Sequence, residues 1–277
     1  MILLGMSLLS AQEEVLEITV DTVKQEKSTG QKFLYDMGNV FGGMGFAYSR
    51  PLHWEGKQWK QTAGVLAGTA LLFLVDEEVH AFGSRIEKDI PQWVQDYGWY
   101  YGSPQNNYMA TGAVYLTGLI SNSDKLRRTG VLLLSSASAA GLLQQVSKYA
   151  FGRARPRSGD SNTTFRPFEA NNDYHSFPSG HAILAFTNAY AIAKQFGNPW
   201  VKGGILFVGA VPGLSRIWES AHWISDVALS FAISIATVEA IDRYLDRKYD
   251  QKYNDKKRKV DYQLTFRKNQ IGVVMMF

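Results

Sequence analysis

From residue 60 to residue 246 the apolar side chains return at helical spacing, and no segment alternates along its length as a strand would. The pattern is carried by segments 60–75, 107–121, 126–149, 181–196, 201–213 and 222–246. Each such helix has an apolar stripe to bury, so the segments must pack on one another. The expected fold is all-α, a multi-helix bundle. Asp124 ahead of Lys125 and Leu126 predicts one helix start, and Asn198-Pro199 another. The Gly- and Asn-containing residues 102–107 and the long polar stretch 157–177 read as loops. Trp93, Trp99, Tyr100, Tyr101 and Tyr108 could form a lid or an interfacial belt, with core packing as the expected use.

The two ends differ from this middle. Residues 1–11, MILLGMSLLSA, form an apolar run without a preceding Lys or Arg, and are read as a signal segment. Leu16, Ile18 and Val20 alternate with polar residues, which predicts a short strand within an N-terminal strand and loop extension over 12–55. Tyr262, Leu264 and Phe266, then Ile271, Val273 and Met275, alternate on either side of Lys268-Asn269-Gln270. This predicts a C-terminal β-hairpin, a small β element after the basic linker that opens 247–277. A hairpin is marginal alone, so the 16–20 strand or another surface is expected to cover it. The helical domain is then 56–246.

The 277 residues suffice for a sizeable core, and 45% hydrophobic residues with a mean hydropathy of -0.17 are ordinary for a globular chain. A bilayer span needs about 20 apolar residues. The uncharged run 129–147 approaches this but holds four serines and two glutamines, and most other runs are shorter. The helices therefore stand between a soluble bundle and a weakly hydrophobic membrane protein. The net charge of +4 owes much to Lys256-Lys257-Arg258-Lys259. One such run suits a solvated face or an anionic lipid surface better than nucleic acid, and no nucleic-acid partner is expected. The absence of Cys excludes disulfides, thiol catalysis and thiolate zinc sites.

Three stretches carry ionisable groups where apolar helices begin or end. The segment 215–226 holds Arg216, His222 and Asp226 in an apolar neighbourhood. His222 and Asp226 share a helix face at i,i+4, and a carboxylate on Nδ1 leaves Nε2 as a base or nucleophile. A buried ion pair would leave the same trace. Arg216 adds a planar fork suited to phosphate oxygens. Lys148 and Arg155 close a long apolar helix where its dipole favours cations, and Pro156 is expected to stop that helix. Arg153, between them, could assist an anion site or lie on the surface. Pro178-Ser179-Gly180-His181 opens another helix, whose first N–H groups favour an anion. His175 reads as a loop residue, and Glu77, Glu78 and His80 as a polar helix end.

In chain order, Lys148-x6-Arg155-Pro156, Pro178-Ser179-Gly180-His181 and Ser215-Arg216-x5-His222-x3-Asp226 resemble the three signature motifs of the type 2 phosphatidic acid phosphatase family. Its superfamily also includes vanadium-dependent haloperoxidases and bacterial non-specific acid phosphatases. The resemblance covers 148–226 directly and 60–245 loosely. It implies that His222 is the nucleophile, that Asp226 orients it, and that His181 protonates the leaving oxygen and then activates water. It assigns Lys148, Arg155, Arg216, Ser179 and the Gly180 N–H to the phosphoryl oxygens. No metal and no cofactor are expected, with vanadate as an inhibitor or an alternative cofactor. The implied function is a lipid phosphate or diphosphate phosphatase working through a phosphohistidine. Its candidate substrates are phosphatidate, phosphatidylglycerol phosphate, an isoprenyl diphosphate or a lipid A phosphate. The same cage would serve a haloperoxidase, or a binder of lipid phosphates that lacks turnover. The expected place is a membrane surface or bilayer of the bacterial cell envelope, with the site facing the periplasm. Oligomeric state is left open.

Overall fold

The computed structural model describes residues 28–254 and the strands 261–267 and 270–276. The signal segment and the 16–20 strand fall outside the described residues. The helical unit spans Lys27–Asp250, and the C-terminal strands belong to a second unit. In that unit β1 (Asp261–Arg267) pairs antiparallel with β2 (Gln270–Met276), Leu264 opposite Val273.

The helical unit contains α1 (Thr29–Ser49), α2 (Gly56–Phe73), α3 (Asp76–Ile86), α4 (Gln92–Gly102) and α5 (Pro104–Ile120). These are followed by α6 (Asp124–Phe151), α7 (Gly180–Ala193), α8 (Pro199–Trp218) and α9 (Ile224–Asn254). The expectation of a strand and loop extension over 12–55 is corrected by α1. Ser28 and Gln31 close a capping box at its start. Its buried face is Asp36, Asn39, Val40 and Gly43, a helical stripe in spacing but a polar one in composition. Asp36 is fully buried because Arg127 of α6 meets both its oxygens at 2.8 Å. Tyr115 and Tyr249 donate to the same carboxylate at 3.1 and 2.7 Å. Four hydrogen bonds from these three partners therefore offset the cost of burying the charge.

Helix α6 packs against α1, α5 and α7. Val131, Leu132 and Leu133 form the core there with Val40, Tyr115, Val238, Ile241 and Leu245. The helix covers the expected 126–149 and ends at Phe151, before it reaches Pro156. Gly152, in the left-handed conformation at φ 58°, caps it four residues before Pro156. Helix α8 packs on α7, α4 and α3, and a smaller cluster of Ala182, Ile217 and Val227 joins these layers beneath the motif residues. Trp93, Trp99 and Tyr100 of α4 are more than half exposed, so the expected core role does not hold for them. Helices Asp124–Phe151 and Ile224–Tyr249 are long and apolar enough to cross a membrane, by length and composition.

Candidate active site

The loop after α6, the start of α7 and the link from α8 to α9 are stitched together by backbone hydrogen bonds. Ser176 N–H donates to the Arg153 carbonyl at 3.0 Å, and Arg157 N–H to the Ser220 carbonyl at 3.0 Å. Ala221 and His222 both donate to the Arg216 carbonyl, which folds the chain back sharply behind α8. Ser220 takes a φ of 54° in that turn, and His80 of α3 meets its hydroxyl at 2.9 Å. Trp223 donates from its indole to the Ala154 carbonyl at 2.7 Å. Ser230 of α9 accepts from Ser179 N–H at 2.9 Å and fixes the α7 end to α9. Ser179 is itself the N-cap of α7, its hydroxyl accepting from Ala182 N–H.

His222 is buried, and its Nδ1 lies 2.6 Å from the Ser176 carbonyl oxygen. A carbonyl only accepts, so Nδ1 carries the proton and Nε2 keeps a lone pair. This refines the expected dyad, because the nearer Asp226 oxygen stands at 3.7 Å from Nδ1, an ion-pair distance rather than a hydrogen bond. That oxygen is held by the Ser176 hydroxyl at 2.5 Å and by Trp223 N–H at 3.0 Å. Burial, above all, pushes the His222 pKa down to about 3, and Arg155 and Lys148 push the same way against Asp226. An imidazole in this position is neutral at neutral pH.

His181 stands in the first turn of α7, with Nε2 buried and without a hydrogen-bond partner among the described residues. Its pKa is also lowered to about 3, first by burial and then by Arg216, Lys148 and Arg155. The three cations therefore act on one imidazole, and two of them act on the other. The Arg155 guanidinium is anchored to the carbonyls of Asn172, Ala221 and His175. Arg216 is buried, tied to the Ser215 hydroxyl and paired with Glu219. The Trp99 ring covers Arg216 at 5.2 Å and His181 at 5.4 Å, centroid distances. Gly180 opens α7 beside the buried Gln144. The chain thus brings together the motif residues named from sequence. No group of three or more His, Asp or Glu suited to a metal ion occurs among the described residues.

Sequence reasoning missed several participants. Arg153 is not a surface residue; it is fully buried and salt-bridged to both Asp76 and Asp226. His175 lies in a loop as expected but is buried, with Nε2 at 2.7 Å from the Glu169 carbonyl. Ser176 acts through its backbone carbonyl, for which no residue type is a signal. Glu219 could have been found from its i,i+3 spacing to Arg216.

The PAP2 superfamily pattern matches residues 129–249, the span from α6 to α9 that holds Lys148, Arg155, Ser179, Gly180, His181, Arg216, His222 and Asp226 but not Asp76, His80 or Trp99. Residues 129–249 belong to the PAP2 superfamily. Similar curated proteins include a lipid A 1-phosphatase of Porphyromonas gingivalis, 32% identical over 115 residues, 40% of this chain and 23% of that protein. An undecaprenyl-diphosphatase of Sulfolobus acidocaldarius is 30% identical over 113 residues, 40% of this chain and 53% of its own length. A lipid A 1-phosphatase of Rhizobium etli is 32% identical over 105 residues, covering 37% of this chain and 44% of the relative. The chain thus spans about a quarter to a half of the length of these curated relatives.

Proposed function

We propose that this PAP2 chain is a phosphatase that hydrolyses a lipid phosphate or diphosphate through a phosphohistidine. The observation that carries the reading is a buried histidine with a free Nε2 lone pair, sharing the field of Lys148 and Arg155 with a second, half-buried histidine, His181, whose own Nε2 is buried and on which Arg216 acts as well. Phosphoryl transfer asks mainly for alignment and for charge stabilisation on the equatorial oxygens, which three cations and the α7 N-terminus supply.

In the first step His222 Nε2 forms a bond to phosphorus while the bond from phosphorus to the leaving oxygen breaks. His181 gives that oxygen a proton. The bound phosphate, by its negative charge, offsets the repulsion of the three cations and restores the proton His181 lacks in the empty site. In the second step His181 takes a proton from water, the water oxygen bonds to phosphorus, and the phosphorus–nitrogen bond breaks. Asp226 stabilises the positive charge that develops on His222.

A lipid substrate is favoured by the names of the similar proteins, which act on lipid A or undecaprenyl diphosphate. The apolar side chains exposed around the bundle, among them Leu34, Phe41, Leu71, Ile120 and Phe207, favour association with a membrane. The same reading places the chain in a bacterial cell envelope with the site facing the periplasm. Because the chain has no Cys, Ser158→Cys labelled by an impermeant maleimide in intact cells tests that orientation.

Phosphate release from phosphatidate, an isoprenyl diphosphate and lipid A vesicles, with and without chelator, tests the reaction. We expect release that a chelator leaves unchanged and that His222→Ala reduces by roughly three orders of magnitude or more. Equal rates for the two proteins would overturn the reading.

A further inference from the structure

Behind Asp226 lies a second buried layer that the proposed reaction does not use. The Arg153 guanidinium donates to Asp226 Oδ1 at 2.6 Å, to Asp76 Oδ2 at 2.7 Å and to the Ser225 hydroxyl at 2.8 Å. Its Nε donates to the Asn162 carbonyl at 3.0 Å. Asp76 in turn accepts from Ser225 N–H at 3.0 Å and from the Ser225 hydroxyl at 2.7 Å, so it caps α9 from another helix. Asp76, Arg153, Ser225 and Asp226 are all fully buried. Phe73, Phe165, Phe177 and Trp223 box in the guanidinium, with the Phe73 centroid at 4.4 Å.

We propose that Arg153 and Asp76 are positioning residues of the nucleophilic dyad, setting the orientation of the Asp226 carboxylate and the charge it presents to His222. The proposal rests on the phosphatase reading above. Its geometric ground is a division of labour between the two Asp226 oxygens. Oδ1 is committed to Arg153, so Oδ2 alone is left to Ser176, Trp223 and the His222 ring. A carboxylate tied on one oxygen cannot rotate to bind His222 on the other. Arg153 is also a fixed positive charge in a dry site, where such a charge acts strongly on its neighbours. It disfavours a proton on Asp226, so the carboxylate stays an anion while His222 gains positive charge. Asp76 balances Arg153 from the far side and limits that pull.

The other charged or titratable groups facing the dyad are Lys148 from α6, Arg155 from the loop after it, and His80 of α3, whose ring packs on Trp223 at 5.6 Å. None of these touches Asp226 through a hydrogen bond among the described residues, so Arg153 is the contact through which charge is set.

The two members predict opposite shifts, which a purely structural role would not produce. Arg153→Met removes a positive charge, and the acid limb of kcat/KM moves up in pH by about one unit while kcat falls roughly tenfold to hundredfold. Asp76→Asn keeps the shape and removes a negative charge, and the acid limb moves down. Arg153→Lys keeps the charge, and its acid limb stays near that of the wild type. Should Arg153→Met fail to fold, Asp76→Asn and Arg153→Lys carry the test. The measurement is phosphate release against pH for the full chain in detergent, beside His222→Ala. Shifts in the stated directions support the proposal. If Asp76→Asn lowers the melting temperature or raises KM with an unmoved acid limb, or if Arg153→Lys moves the limb as far as Arg153→Met, the proposal fails while the phosphatase reading stands. If wild type and His222→Ala release phosphate equally, it is the phosphatase reading that fails.

Discussion

At the scale of single residues the site works by withholding protons. His181 and His222 are both driven to about 3 by burial and by neighbouring cations, so neither is charged in the empty site at neutral pH. That suits the nucleophilic role proposed for His222, which calls for a lone pair. The acid role proposed for His181 then depends on a bound phosphate to restore its proton. His181→Asn should therefore cost about a hundredfold or more on an alkyl phosphate, whose leaving oxygen needs a proton. On p-nitrophenyl phosphate the loss should be far smaller, because that leaving group departs as an anion. Steady-state rates on the two esters check this. A loss of equal size on both would show that His181 does not act as the acid. The residue types of the dyad and the cage were legible in the chain, because phosphate chemistry calls for recognisable side chains. The partner of His222 Nδ1 was not, because it is the backbone carbonyl of Ser176.

At the scale of elements, α4 decides how His181 is held. Gly98 and Gly102 lie one turn apart and let α4 approach two motif helices closely. A Cβ on Gly98 would stand 2.6 Å from the Ser215 hydroxyl, and one on Gly102 would stand 2.7 Å from the His181 ring. Gly102→Ala must therefore displace either α4 or the imidazole. We expect kcat to fall about tenfold to hundredfold, the scale of loss for a catalytic group misplaced by about 1 Å. Circular dichroism should show the helix content kept. An unchanged kcat would mean that α4 yields instead of His181. This element was invisible in the sequence, as was α1. In α4 the contact face is glycine, and in α1 it is Asp36, Asn39, Val40 and Gly43. Helical periodicity read from apolar residues detects neither, since the stripe is made of small or polar groups.

At the scale of the whole molecule, the same two histidines tie folding to pH. Their folded pKa of about 3 lies below the ordinary 6.5 of an unfolded chain, so the unfolded state takes up protons first as pH falls. Stability is therefore full above about 6.5 and is lost as pH drops toward 3. Melting temperature followed from pH 7 to pH 4 should fall more steeply for wild type than for a His181→Asn, His222→Asn double variant. Parallel curves would show that these rings do not titrate with unfolding. Inorganic phosphate or vanadate, bound among the three cations, should raise the melting temperature of the wild type.

The sequence by itself determined the helical class, most helix positions and the three stretches from which phosphate chemistry is proposed. It could do so because periodicity, helix-end chemistry and motif spacing are local properties of a chain. Only the tertiary structure decided that Arg153 faces inward between Asp76 and Asp226 rather than outward to solvent. The reason is physical. A guanidinium is worth burying only where two carboxylates and an aromatic box meet it, and those groups come from α2, α3, α9 and the loops between helices, which no local pattern brings together.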